Sequence, residues 1–140
     1  MEKETGWKPI PLSLKILFVV FIFWVIGSLV NLPNIYAAGL SFFGVQVNGA
    51  SASIIVLLLD VLAPLTFLFA LWHRKFWATT FAFSYIAIFS LHSVVDIFTS
   101  RERLGLVPIL IPLVANVIFL IIIYNARNYF NKNTLRYPQI

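Results

Sequence analysis

His92 and Asp96 stand four residues apart in "SLHSVVDIF" (90–98), near the end of a stretch that is otherwise almost purely apolar. On a helix, side chains at that spacing share one face. An imidazole beside a carboxylate can pass a proton, because histidine titrates near neutral pH. It can also hold a neighbouring segment by hydrogen bonds, or supply two ligands to a metal ion. Two more strongly polar groups sit inside apolar runs: Asp60 in "LLLDVLAP" and Asn116 in "PILIPLVAN". Tyr85 precedes His92 by two helical turns, on the same face.

Several other chemistries are excluded. Cysteine is absent, which removes disulfides and thiolate ligands together. One methionine opens the chain and no other follows, so thioether ligation has no donor. A bis-histidine haem needs both imidazoles at one iron, whereas His73 falls in the connection before the third apolar run and His92 towards that run's far end. Ser90 and Ser93 flank His92 in sequence, but neighbours one and two positions away point elsewhere on a helix. No glycine-rich phosphate loop or zinc-protease motif occurs. A single histidine with carboxylates is an incomplete zinc set. The residues therefore point to no enzyme and no cofactor, and no complete set of metal ligands is assigned.

The elements that must position these groups follow from composition. The chain has 140 residues, of which 61% are hydrophobic and 11% charged, with a mean hydropathy of +0.94. Soluble domains carry about 25% charged residues, so the solvent of this chain is largely lipid. Apolar runs occupy 12–32, 52–72, 76–98 and 106–124, each near the ~20 residues a helix needs to cross a bilayer. The runs are continuous rather than alternating, which favours helices over barrel strands. The first run exceeds the ~7–15 apolar residues of a signal peptide's core, so it is read as a retained helix. The expected fold is an all-α membrane protein, a single domain forming an antiparallel bundle of four transmembrane helices.

The net charge of +5 does not suggest nucleic acid, because the basic residues are scattered singly with no stripe of stacking aromatics. They set orientation instead. Lys3, Lys8, Lys15, Arg74, Lys75, Arg127, Lys132 and Arg136 fall on one side, and only Arg101 and Arg103 on the other. The positive-inside rule places both termini in the cytoplasm, and Trp7, Trp72, Trp77, Tyr124 and Tyr129 form an aromatic belt at that face. "HRK" (73–75) is short enough to make its flanking helices antiparallel neighbours. "TSRERLG" (99–105) is an ordinary polar loop. The outer connection, 33–51, is uncharged, and its "LSFFGVQVNG" is expected to seal the bundle as a hairpin or short interfacial helix. The cytoplasmic tail, 125–140, is expected to fray over "NKNTLRYPQI".

With these boundaries, Asp60, His92 and Asn116 lie at similar depths, ~9–13 Å below the outer end of the helices at 1.5 Å per residue. Asp96 sits one turn nearer the outside. A charge at mid-helix costs about 2.5–3.5 kcal/mol, so such groups normally face one another or a wet cavity. Along the third helix Ala78, Ala82, Tyr85, Phe89, His92 and Asp96 trace an inward seam. Pro64 lies four residues after Asp60 and cannot donate to its carbonyl; Pro108 and Pro112 are expected to kink the fourth helix. Three uses of this layer stay open: a structural clamp, a proton or cation site with Asp60 as carrier and His92 as partner, and a metal site. The first helix, with Phe18, Phe21, Phe23 and Trp24, is expected to form a wall facing lipid or a partner.

"KP" at 8–9, "LKIL" at 14–17, "FFGVQVNGASA" at 42–52, "LWHRKFWA" at 71–78 and "YFNK" at 129–132 give the chain a resemblance to small uncharacterised four-helix membrane proteins of bacteria and archaea. That resemblance spans nearly the whole chain and implies a prokaryotic cell membrane, but no activity. The small multidrug transporters are a poorer match, since their key glutamate in the first helix has no acidic counterpart here. The expected role is a non-enzymatic accessory or packing subunit, in contact with lipid and with itself or other membrane-protein subunits. The alternative is a small proton- or cation-coupled transporter using Asp60 and His92.

Overall fold

A computed structural model describes residues 7–99 and 105–131. Its elements run α1 (Leu12–Ala38), β1 (Leu40–Phe42), β2 (Val45–Val47), α2 (Gly49–Trp72), α3 (Ala78–Thr99), α4 (Leu106–Asn125) and the short α5 (Arg127–Asn131). Three of them, α1, α2 and α3, are long and apolar enough to cross a membrane, which suggests a membrane location. The remaining long helix, α4, carries a shorter apolar stretch, Leu110–Asn125, and packs more extensively on α3 than on any other element. Of the basic residues used for orientation, Lys3, Arg101, Arg103, Lys132 and Arg136 lie outside the described residues, as do most of the 99–105 loop and the end of the tail.

Burial is concentrated at the end of the bundle where α2 turns into α3. Leu14, Leu17 and Phe21 of α1 meet Phe67 and Leu71 of α2, Ala78, Ala82 and Ile86 of α3, Ile123 of α4 and Phe130 of α5. The alanines bring the helix backbones close, and the aromatic rings fill the volume that remains. Phe21 packs edge-on against Phe67 at 5.6 Å and Phe119 at 5.3 Å between ring centroids. Polar ties close this end. The Tyr129 hydroxyl donates to the Leu71 carbonyl at 3.3 Å, and the Arg74 guanidinium lies 4.6 Å from the Tyr129 ring centroid while donating to the Pro9 carbonyl.

Away from this core the helices are bare. Only 22% of the most apolar window of α1 is buried, 39% of that of α2 and 22% of that of α3. Contiguous exposed apolar surface on this scale does not persist in water, so these faces require lipid or protein against them.

The connection between α1 and α2 departs most from the expected boundaries. Helix α1 continues through Pro33 to Ala38, and α2 begins at Gly49, so the expected 33–51 connection contracts to a hairpin flanked by two helix ends. Helix α1 stops at Gly39, whose φ of 73° and ψ of −175° belong to a region open essentially to glycine. A Cβ at Gly39 would also fall 2.5 Å from the Val47 carbonyl oxygen, so the missing side chain lets the hairpin close against its own base. Strands β1 and β2 pair antiparallel, Leu40 with Val47, Ser41 with Gln46 and Phe42 with Val45. Phe43 and Gly44 make the turn at φ 49° and 76°, the two positive values a tight hairpin turn needs for its twist to match the strands. The hairpin form is one of the two the sequence left open.

Candidate functional site

Helix α2 is not uniform. Over Leu57–Leu62 it widens into a π-helical turn, and the Ala63 N–H donates to the Leu58 carbonyl, five residues back. The next bond in that register would run from residue 64 to Leu59, and Pro64 has no N–H to give. The Leu59 carbonyl is therefore left without a backbone donor in an apolar helix, where an unpaired carbonyl is costly. Tyr85 of α3 fills the gap: its hydroxyl donates to the Leu59 oxygen at 2.9 Å. The sequence placed the orphan on Asp60 by assuming the α register. The wider turn leaves the Leu59 carbonyl without a backbone donor as well, and that gives Tyr85 its task.

Two turns further along α3, His92 and Asp96 come together as their spacing requires, Nε2 to Oδ2 at 3.5 Å. Both also reach the hairpin. The Phe43 N–H donates to His92 Nδ1 at 3.2 Å, and the Ser41 hydroxyl donates to Asp96 Oδ1 at 3.3 Å. Because Nδ1 accepts, the ring proton sits on Nε2, directed at Asp96. The rings of Phe42 and Phe43 flank the imidazole at 5.5 and 5.3 Å. At the turn, a Cβ on Gly44 would meet the Thr99 side chain at 2.8 Å, so the hairpin tip lies directly on the end of α3. Asp96 is 7% exposed; burial at that level requires partners, and the hairpin supplies one of them.

Asp60 faces differently. Its Oδ1 accepts a hydrogen bond from the Trp24 indole N–H of α1 at 3.2 Å, and among the described residues it forms no ion pair. It is half-buried and borders two openings. One is a cleft of about 220 Å³ beneath the hairpin, shared with His92, Phe89, Leu59, Ser41 and Phe42. The other is an open groove of about 610 Å³ between α1 and α2. Asn116 joins neither. It is 9% exposed, and its amide nitrogen has no hydrogen-bond partner among the described residues.

The residues singled out in the sequence thus fall into separate arrangements. Tyr85 ties α3 to α2, His92 and Asp96 latch the hairpin, Asp60 pairs with Trp24 while sharing a cleft with His92, and Asn116 stands apart. Among the described residues no three of His, Asp and Glu gather closely enough to hold a metal ion. Sequence reasoning missed Trp24, Ser41 and Phe43. An indole N–H in an apolar helix needs an acceptor, so Trp24 carried a usable signal; the backbone N–H of Phe43 carried none.

The fold and site define a mostly helical protein whose polar groups seat a β-hairpin on one end of an apolar bundle. No known family model, characterised protein or solved structure matches the chain.

The Tyr85 tie has a measurable signature. Tyr85→Phe leaves the Leu59 carbonyl unpaired and is expected to lower stability in detergent by about 1–3 kcal/mol. In a Pro64→Ala background residue 64 regains its N–H, and the same substitution is expected to cost distinctly less. Equal costs in the two backgrounds, read from unfolding curves, would show that the hydroxyl does not replace the missing donor.

Proposed function

We propose that this chain is a non-enzymatic polytopic membrane protein, a small accessory or packing component that associates with itself or with other membrane-protein subunits. In this reading α4 is a fourth span, both termini face the cytoplasm, and the layout resembles that of small prokaryotic four-helix membrane proteins. The observation that carries it is the occupation of the chemistry-bearing groups: Tyr85, His92 and Asp96 each hold one chain segment to another. The bare apolar flanks of α1 and α3 supply surface for lipid and for neighbouring helices. Lys8, Lys15, Arg74, Lys75 and Arg127, all on or beside the segments that meet at the α2–α3 turn, support the cytoplasmic assignment of that end. Extraction in a mild non-ionic detergent followed by native mass spectrometry is expected to recover a homo-oligomer or a stoichiometric complex. A lone monomer would contradict the accessory role.

One observation favours a second reading, a proton- or cation-coupled transporter. Asp60 borders both the cleft that holds His92 and the groove between α1 and α2, and intramembrane carboxylates mark ion pathways. Under this reading Asp60→Asn abolishes pH-driven cation flux in proteoliposomes. Absence of flux in the unmodified protein, or unchanged flux in the variant, removes it.

A further inference from the structure

The groove between α1 and α2 combines apolar walls with one carboxyl group. It is open along one side and has a volume of about 610 Å³. Its walls are apolar and aromatic, with Phe23 and Trp24 among the lining residues. Trp24, Ser28 and Asn31 follow one another at helical spacing, so they form a polar strip along one face of α1. Asp60 stands opposite on α2.

The charge of that carboxyl decides what fits. Trp24 donates to one oxygen, Oδ1, and among the described residues no other hydrogen bond reaches the group. The histidine that neighbours it, His92, lies across the cleft beneath the hairpin, so on the groove side an ionised Asp60 needs a cation opposite it. A cationic head placed there would meet the carboxylate directly, with the aromatic side chains of Phe23 and Trp24 lining the same groove. The apolar body of such a ligand would cover Phe23 and the helix backbone at Gly27. A neutral lipid tail gains nothing from Asp60, and an anion is repelled by it.

We propose that this groove binds an amphiphilic monocation, with its charge at Asp60 and its apolar body against Phe23, Trp24 and Gly27. Binding of this kind goes beyond the accessory role and requires no transport step. Gly27 offers the means to test it without disturbing the core, because a Cβ built there meets no atom within 4 Å. Gly27→Leu therefore projects into the groove, and leaving a helical glycine for leucine favours the helix.

The probe is tetraphenylphosphonium, with tetraphenylborate as a control of the same shape and opposite charge. Both are titrated by equilibrium dialysis against the full chain in non-ionic detergent, with empty micelles as reference. The phosphonium is expected to bind saturably with one site per chain, and the borate neither to bind at that site nor to displace it. Asp60→Asn is expected to weaken phosphonium binding at least tenfold, and Gly27→Leu to abolish it while leaving the thermal unfolding midpoint unchanged or higher. Should Asp60→Asn not fold, Gly27→Leu and the charge comparison decide alone. Equal binding of the two ions, or undiminished phosphonium binding in folded Gly27→Leu, would overturn the proposal. So would a groove that binds neither ion but whose blockage changes the oligomeric state, since the occupant would then be a helix of a second copy.

Discussion

A polar group surrounded by hydrocarbon has no water to fall back on, and this constraint governs how the bundle is built. Unsatisfied backbone groups in such surroundings cost several kcal/mol each by general estimate. Pro64 creates one in the middle of α2, and the hairpin brings another, the N–H of Phe43, to the end of α3. Both are answered from the same helix. Tyr85 and His92 are seven residues apart and Asp96 follows four later, so all three lie on one face of α3. The first receives the orphaned carbonyl of α2 and the other two receive the hairpin. Helix α3 is in this sense the spine against which the irregular parts of the chain are satisfied.

That arrangement explains why residues with catalytic-looking spacing need not be catalytic. An imidazole with one nitrogen accepting from backbone and the other facing a carboxylate is a well-formed hydrogen-bond relay. Here its ends are a turn residue of the hairpin and a buried acid on its own helix. Ser41 and the flanking Phe42 and Phe43 rings enclose the pair further. Asp60 is the exception. Its partner is a single indole from α1, and it borders two openings rather than a seam. Functional inference therefore concentrates on Asp60, and structural inference on the other groups.

Much of this was legible in the residues. Unbroken apolar runs located the long helices, the brevity of "HRK" gave the tight α2–α3 turn, and three- and four-residue spacing put Tyr85, His92 and Asp96 on one seam. The misses have physical causes. Apolar "LLLDVL" reads the same in α and π registers, so the Leu59 carbonyl was not singled out and the role of Tyr85 stayed hidden. Pro33 marked an expected helix end, yet one missing N–H did not stop α1 before Gly39. Phe-Gly is a weaker hairpin signal than Asn-Gly, so the turn form was not singled out. Equal depth along helices did not imply contact: depth fixes a level, and only helix rotation brings groups together. Asn116 shares the level and not the hydrogen bonds.

The claim on which the account rests is that His92 holds the hairpin through the Phe43 N–H. Amide hydrogen exchange at Phe43, followed by NMR in detergent, tests it most directly. In His92→Ala the bond is lost, and exchange is predicted to quicken roughly 2- to 12-fold, the equivalent of a net ~0.5–1.5 kcal/mol hydrogen bond. In His92→Asn the side-chain oxygen occupies the position of Nδ1, and protection should largely persist. Unchanged exchange at Phe43 in His92→Ala would contradict the account.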